Sequence, residues 1–387
     1  MSSIGTETAF EAAARARALE AEGRDIIHLE IGEPDFDTPA NIVAAAHRAL
    51  DEGWTHYGPP LGLPALREAI ATDVTLRKGF TADPANVVVT PGAKPIMFYA
   101  LLALIDEGDE VIYPDPGFPI YESMTRYAGG TPVPIALRED HDFRLDTDEL
   151  RSLVTDRTRM IIFNSPHNPT GSVLMRRDIE AIASIARDHD LVVMADEIYG
   201  RDLYEGEHVS IASLPDMVER TIVLDGFSKT YAMTGWRLGY AIVPPSLLSA
   251  FSKLIINSVS CTSAFSQVAA IEALTGPQDR VHEMVDEFRV RRDMIVAGLN
   301  KIPGIRCRMP AGAFYVFPNV AATGLDGTGF ADRMLHEAGV CVLAGTAFGH
   351  TATDHVRISY ANSPENLRRA LDRIAEVVSK LPAHAGA

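Results

Sequence analysis

Lys229 stands eight residues before Arg237 in the run Gly226-Phe-Ser-Lys-Thr-Tyr-Ala-Met-Thr-Gly-Trp-Arg-Leu-Gly239, directly after the apolar stretch Thr221 to Asp225. An amine forms an imine with a carbonyl only in its unprotonated form, so a lysine with that task needs a sheltered, electrically tuned site. Arginine's planar fork suits a phosphate that must be held in one orientation. The pairing reads as an imine-forming lysine beside a phosphate clamp, although a Ser-Lys pair in a loop is, by itself, more often a solvated surface pair.

Other segments carry chemistry at strand ends. Asp196 closes the apolar run Leu191-Val-Val-Met-Ala195, and in a parallel sheet ligands collect outside the carboxyl ends of the strands. A buried aspartate there can face a ligand and favour its cationic form, whereas an isolated strand-end aspartate is commonly a helix cap. Tyr199 follows at a spacing of three, and Asn164-Ser-Pro-His-Asn168-Pro-Thr-Gly171 leaves a second strand. Thr90-Pro-Gly92-Ala93-Lys94 stands where a strand gives way to a helix, as a plain turn or as an anion cradle favoured by the helix dipole. Phe118 lies in Pro114-Asp-Pro-Gly-Phe-Pro-Ile-Tyr121, Tyr57 precedes Gly-Pro-Pro, and Arg357 sits in His355-Val-Arg-Ile-Ser359. Gly32, in Leu29-Glu-Ile-Gly-Glu-Pro-Asp-Phe36, is a residue type that admits close backbone approach.

Together these segments resemble the class I aminotransferases that use pyridoxal 5'-phosphate, the fold-type I, aspartate aminotransferase-like enzymes of class I/II, from about Gly32 to Arg357. The resemblance implies that Lys229 carries the cofactor as an imine and shuttles protons. It gives Arg237 the phosphate, Asp196 the ring nitrogen, Asn168 and Tyr199 the phenolic oxygen, and Phe118 the ring face. Lys229, Asp196 and Tyr199 form the implied catalytic set. Gly92, Ala93 and Lys94 match the phosphate cradle; Gly226 stands where some relatives place a phosphate-binding serine, and Ser228 is the candidate that compensates. Tyr57 matches a tyrosine that reaches the neighbouring subunit's cofactor, which implies a homodimer. Gly32, Asn168 and Arg357 are the implied substrate-binding residues.

The activity implied is ping-pong transfer of an amino group from an L-amino acid to a 2-oxo acid. A pyridoxal 5'-phosphate-dependent lyase, decarboxylase or amino-acid oxidase on the same scaffold stays open, because the reaction depends on which substrate bond stands perpendicular to the ring; a cofactor-binding regulator is the remote alternative. After Lys94 the chain reads Pro-Ile-Met-Phe-Tyr-Ala-Leu-Leu-Ala-Leu-Ile without a basic residue for a second carboxylate. The donor is therefore aspartate-type or a broad neutral or aromatic amino acid.

Positioning these residues requires an α/β frame. Strand-length apolar runs at Val87 to Thr90, Glu110 to Tyr113, Thr131 to Pro134, Met160 to Asn164, Leu191 to Ala195, Thr221 to Asp225 and Leu238 to Val243 predict a mostly parallel sheet of about seven strands, covered by helices. Helical spacing marks Met175 to His189 and Gln278 to Leu299, the latter as a connector. Short strands at Ile305 to Met309, Phe314 to Phe317 and Val356 to Ser359, with helices ending near Leu381, predict a smaller α/β domain. The expected division is 1–45 with the small domain, 46–285 as the large cofactor-binding domain and 286–387 as the small C-terminal domain. Gly327-Thr-Gly329, a partial dinucleotide-type pattern, reads as a loop, and the Ala-His-Ala-Gly-Ala tail as disordered.

The 387 residues, 47% hydrophobic, suffice for a large core. A net charge of -17 argues against a general nucleic-acid or acidic-membrane surface. The sequence shows no basic leader before an apolar run and no membrane-length apolar stretch, so the expectation is cytoplasmic. Cys261, Cys307 and Cys341 are far apart and odd in number, as reduced thiols are, and the histidines suggest no metal site.

Overall fold

In the computed structural model, which describes residues 8–382, α1 (Thr8–Ala21), β1 (Ile27–His28), α2 (Ala40–Asp51) and α3 (Pro64–Lys78) precede the main sheet. The predicted apolar runs then become its strands: β2 (Val87–Thr90), β3 (Glu110–Asp115), β4 (Thr131–Ala136), β5 (Thr158–Asn164), β6 (Val192–Asp196), β7 (Thr221–Gly226) and β8 (Gly239–Ile242). The intervening helices are α4 (Lys94–Leu104), α5 (Ile120–Tyr127), α6 (Thr147–Leu153) and α7 (Arg176–Asp188). Strand order is β2-β8-β7-β6-β5-β3-β4. The strands from β4 to β7 pair in parallel, and β8 runs antiparallel to both β2 and β7. The residues between β7 and β8, which include Lys229 and Arg237, form turns and no crossover helix, so β8 returns antiparallel.

The buried strands β2, β3, β7 and β8 expose neither face, as near-continuous apolar sequences in a helix-covered sheet require. Helix ends follow local chemistry. Gly79, at φ +73°, terminates α3 in the left-handed conformation, and the Asp146 carboxylate caps α6 by accepting from Asp148 N and Glu149 N.

After the main sheet come α8 (Leu248–Ser258), α9 (Ala264–Thr275), α10 (Asp279–Leu299), β9 (Tyr315–Val316), α11 (Gly327–Arg333), β10 (Val340–Cys341), β11 (Leu343–Ala344), β12 (Val356–Ser359) and α12 (Pro364–Ser379). Strands β11-β12-β9 form a separate antiparallel sheet, and β1 pairs in parallel with β10. Residue 45 lies inside α2, which packs along α9, and residue 285 lies inside the unbroken α10. Among the described residues no helix is long and apolar enough to cross a membrane.

Two sequence expectations are corrected. Ile305 to Met309 is no strand; it makes only the isolated bridge Arg306 to Asn319. The Asn300 side chain takes the place of a ladder, donating to Cys307 O at 2.9 Å and accepting from Cys307 N at 2.8 Å. Gly327-Thr-Gly329 is not a loop but the first turn of α11, nucleated by Asp326, whose carboxylate accepts from Gly329 N at 2.7 Å. A side chain at 327 would put its Cβ 2.1 Å from His355 O, so glycine lets this helix start lie against β12's entry. The Ala-His-Ala-Gly-Ala tail lies outside the described residues.

Candidate active site

Register brings the carboxyl ends of three parallel strands side by side, Asn164 of β5 opposite Asp196 of β6, and Asp196 opposite Leu224 of β7. All three line a cavity of about 530 Å³. The turns after β7 supply Ser228, Lys229 and Arg237; the start of α4 supplies Ala93 and Lys94; Phe118 precedes α5; and Arg357 reaches in from β12 with Gly32 from the N-terminal segment. Asn168 and Tyr199 complete the set of predicted residues that share the cavity wall.

Two predicted residues do not line it. Gly92, at φ +83°, lies behind Arg237, where a Cβ would come within 2.1 Å of Nη2. It is therefore a backing surface for the guanidinium. Tyr57 is 90% exposed and stands away from this chain's cavity.

Lys229 Nζ donates to the Gly32 carbonyl at 2.5 Å and lies 5.9 Å from the Tyr199 ring centroid and 5.8 Å from that of Phe314. Its amine is thus held between aromatic walls. Asp196 is 3% exposed. Its Oδ2 accepts from Tyr121 Oη at 2.7 Å and its Oδ1 from Ile198 N at 3.2 Å. Burial pushes its carboxyl up to about 6, against the opposing pull of those two donors; the nearby Asp225 and Glu197 add to the rise. Burial also drives the Tyr199 phenol well above its ordinary value, so it stays a neutral hydroxyl, 2.7 Å from that of Tyr315.

Arg357 is buried between the rings of Tyr315, 4.5 Å away, and Phe348, 4.8 Å away. It donates to Asn168 Oδ1 at 2.9 Å and to the Glu30 carbonyl. Asn168 is itself placed by its backbone N–H on Asn164 Oδ1 at 2.8 Å, and Asn164 Nδ2 donates to Asp196 O at 2.8 Å. A continuous chain of hydrogen bonds therefore runs from the arginine to the strand that carries the aspartate. At Gly32 a Cβ would fall 2.0 Å from Tyr315 Oη, so close approach makes glycine necessary. Arg237, at φ +52°, donates to Thr234 O at 2.8 Å.

Sequence reasoning missed Tyr121, Asn164, Tyr315 and Phe314. Tyr121 and Asn164 close and open the quoted runs around Phe118 and Asn168; Tyr315 and Phe314 gave no signal, since their role arises from contacts with residues distant in sequence. Lys94, the base at the head of α4, lines the cavity with its Nζ 5.4 Å from the Phe118 centroid and 5.9 Å from that of Phe10. A cation therefore does face the cavity, although the segment that follows it has none.

A profile of the family Aminotransferase class I and II matches residues 24–374. The chain is 45% identical to an aspartate aminotransferase of Pyrococcus abyssi over 93% of each chain. Among solved structures, an aromatic aminotransferase from Pyrococcus horikoshii superposes with a TM-score of 0.90 at 43% identity, covering 94% of this chain and 99% of that one. The aspartate aminotransferase of Thermus thermophilus with maleate superposes with a TM-score of 0.93 at 40% identity, covering 97% of both.

Proposed function

The chain belongs to the aminotransferase class I and II family, and from that premise we propose that it uses pyridoxal 5'-phosphate to move an amino group from aspartate or an aromatic L-amino acid to a 2-oxo acid. The observation that carries this reading is the sheltered Lys229 amine sharing one cavity with Asp196, Arg237 and Arg357.

The residues fit the cofactor on separate counts. Arg237 and the first turn of α4 provide a cation and a helix dipole for the phosphate, with Gly92 leaving room for the guanidinium. Phe118 offers a ring at the cavity wall. Asp196 is the buried carboxylate that suits a protonated ring nitrogen, and such a cation would draw its pKa back down. Bound there, pyridoxal 5'-phosphate supplies the electron sink for the pair left when the α-proton departs. The remaining work belongs to the chain. Arg357 holds the substrate's α-carboxylate with its fork, beside the backbone of Gly32. Lys229 Nζ takes the α-proton and returns it on the far side of the transfer, while Tyr199 and Asn168 offer hydrogen bonds to a phenolic oxygen. Ser228, at the same wall, offers the phosphate the hydroxyl that Gly226 lacks.

Specificity rests on the mixed wall around Lys94. Its ammonium can meet the second carboxylate of aspartate, and Phe10, Met97 and Ile31 form an apolar surface for an aromatic side chain. The same reading makes the active unit a cytoplasmic homodimer in which the exposed Tyr57 reaches the neighbouring cofactor. It also groups the N-terminal segment with the C-terminal strands, as the β1–β10 pairing supports.

The test is a half-reaction. Cofactor-loaded protein given one amino acid and no acceptor is expected to release the matching 2-oxo acid once per site, then stop until a second 2-oxo acid is added, and Lys229→Ala is expected to release none. Repeated turnover without an acceptor, with ammonia or carbon dioxide as product, would establish a lyase, oxidase or decarboxylase instead.

A further inference from the structure

Behind the strand ends that present Asp196 and the Lys229 turn lies a second set of charges, on the opposite face of the sheet. Side chains alternate across a strand, so Glu197 and Asp225 point away from the cavity while their neighbours Asp196 and Leu224 line it. Lys78, the last residue of α3, is 3% exposed. Its Nζ lies 2.6 Å from Glu197 Oε2 and 2.9 Å from Asp225 Oδ2. It bridges two carboxylates from adjacent strands. Glu197 Oε1 also accepts from Ser210 Oγ at 2.7 Å, His208 Nε2 is 3.1 Å from Oε2, and Asp225 Oδ2 accepts from Tyr240 Oη at 3.2 Å.

We propose that Lys78 is a positioning residue for this site: by balancing Glu197 and Asp225 it holds the ends of β6 and β7 together and keeps Asp196 in place for the cofactor's ring nitrogen. The inference rests on the cofactor role assigned above to Asp196. Burial by itself would strip Lys78 of its proton, and the charges of Asp225 and Glu197 outweigh it and raise its pKa. Burial likewise opposes the Glu197 charge, yet Lys78 and His208 hold that carboxyl well below its ordinary range. Without the ammonium, Asp225 would lose its ion-pair partner and Glu197 would keep only His208, and the two buried carboxylates would face each other. Their repulsion would part the strand ends or force a proton onto one of them, and each residual charge would press a proton onto Asp196.

The experiment is equilibrium binding of pyridoxal 5'-phosphate by the cofactor-free full-length chain, for wild type, Lys78→Met, Lys78→Met with Asp225→Asn, and Asp196→Asn. Lys78→Met is expected to bind about tenfold more weakly than wild type, in the range of coupled buried networks. Adding Asp225→Asn removes the unmatched charge and is expected to bring binding back to within about twofold. Wild-type affinity in Lys78→Met, or a double variant as weak as the single, overturns the proposal, the second outcome because packing and not charge is then what Lys78 supplies. Should Lys78→Met fail to fold, folding of the double variant is the same rescue read as a melting temperature, and failure of both overturns it. Asp196→Asn separates the premises: if it binds as wild type does, the Asp196 reading fails, whereas weak Asp196→Asn beside unaffected Lys78→Met sinks only the role of Lys78.

Discussion

Tyr121→Phe deletes one hydroxyl, and its effect on Asp196 follows from the geometry. The Tyr121 Oη to Asp196 Oδ2 bond is 2.7 Å long and both residues are buried. A hydrogen bond to a charged group contributes about 1.5–3 kcal/mol, which at 1.36 kcal/mol per unit is about one to two pKa units. The bond favours the ionised carboxylate, so its loss raises Asp196 from about 6 by about one to two units. The bond is present both in the ionised cofactor-free protein and in the loaded protein, and it cancels between them. What changes is the fraction of cofactor-free protein with Asp196 ionised. At pH 7 the variant should bind pyridoxal 5'-phosphate about two- to tenfold more weakly, at pH 5 about ten- to a hundredfold, and above about pH 9 as wild type does. Dissociation constants measured across that range on both proteins give the ratio directly, because the cofactor's own titrations are common to them. A ratio that is constant with pH, or a deficit that grows as pH rises, would refute the electrostatic coupling between Tyr121 and Asp196.

Arg357→Lys removes a fork stacked between two rings, a role a point charge cannot fill; KM for the amino acid should rise about ten- to a hundredfold with a smaller change in kcat, and a fall confined to kcat would count against carboxylate binding. Gly92→Ala forces a left-handed backbone that costs about 1–2 kcal/mol and drives a methyl into Arg237 Nη2. Affinity for pyridoxal 5'-phosphate should drop about tenfold while that for phosphate-free pyridoxal holds, as competition binding would reveal. Lys94→Met should lower kcat/KM for aspartate about tenfold and leave phenylalanine nearly untouched; equal losses for both would exclude Lys94 as the specificity determinant.

Much of the frame was legible because its signals are local. Met160-Ile-Ile-Phe163 and Leu191-Val-Val-Met194 have the unbroken apolar character of strands covered on both faces, and residues at their ends fall at the sheet's carboxyl edge whatever the rest of the chain does. Lys229 with Arg237, and Asp196 with Tyr199, are close in sequence, so a single turn or strand end sets each pair. Gly327-Thr-Gly329 misled because a glycine pattern marks freedom of the backbone, and here that freedom admits a tight helix start. Ile305 to Met309 misled because the side chain of Asn300 satisfied a backbone that composition had assigned to a ladder.

By itself, then, the sequence determined the α/β scaffold, the turn that carries Lys229 and Arg237, and the aspartate at a strand's end, since each depends on spacing of a few residues. Only the tertiary structure decided what tunes them. Tyr121 meets Asp196 across 75 positions, Tyr199 meets Tyr315 across 116, Lys78 meets Glu197 across 119 and Arg357 meets Asn168 across 189. Proton affinity and orientation in a buried site depend on which dipoles and charges lie within a few ångströms, and the packing of distant segments sets that distance.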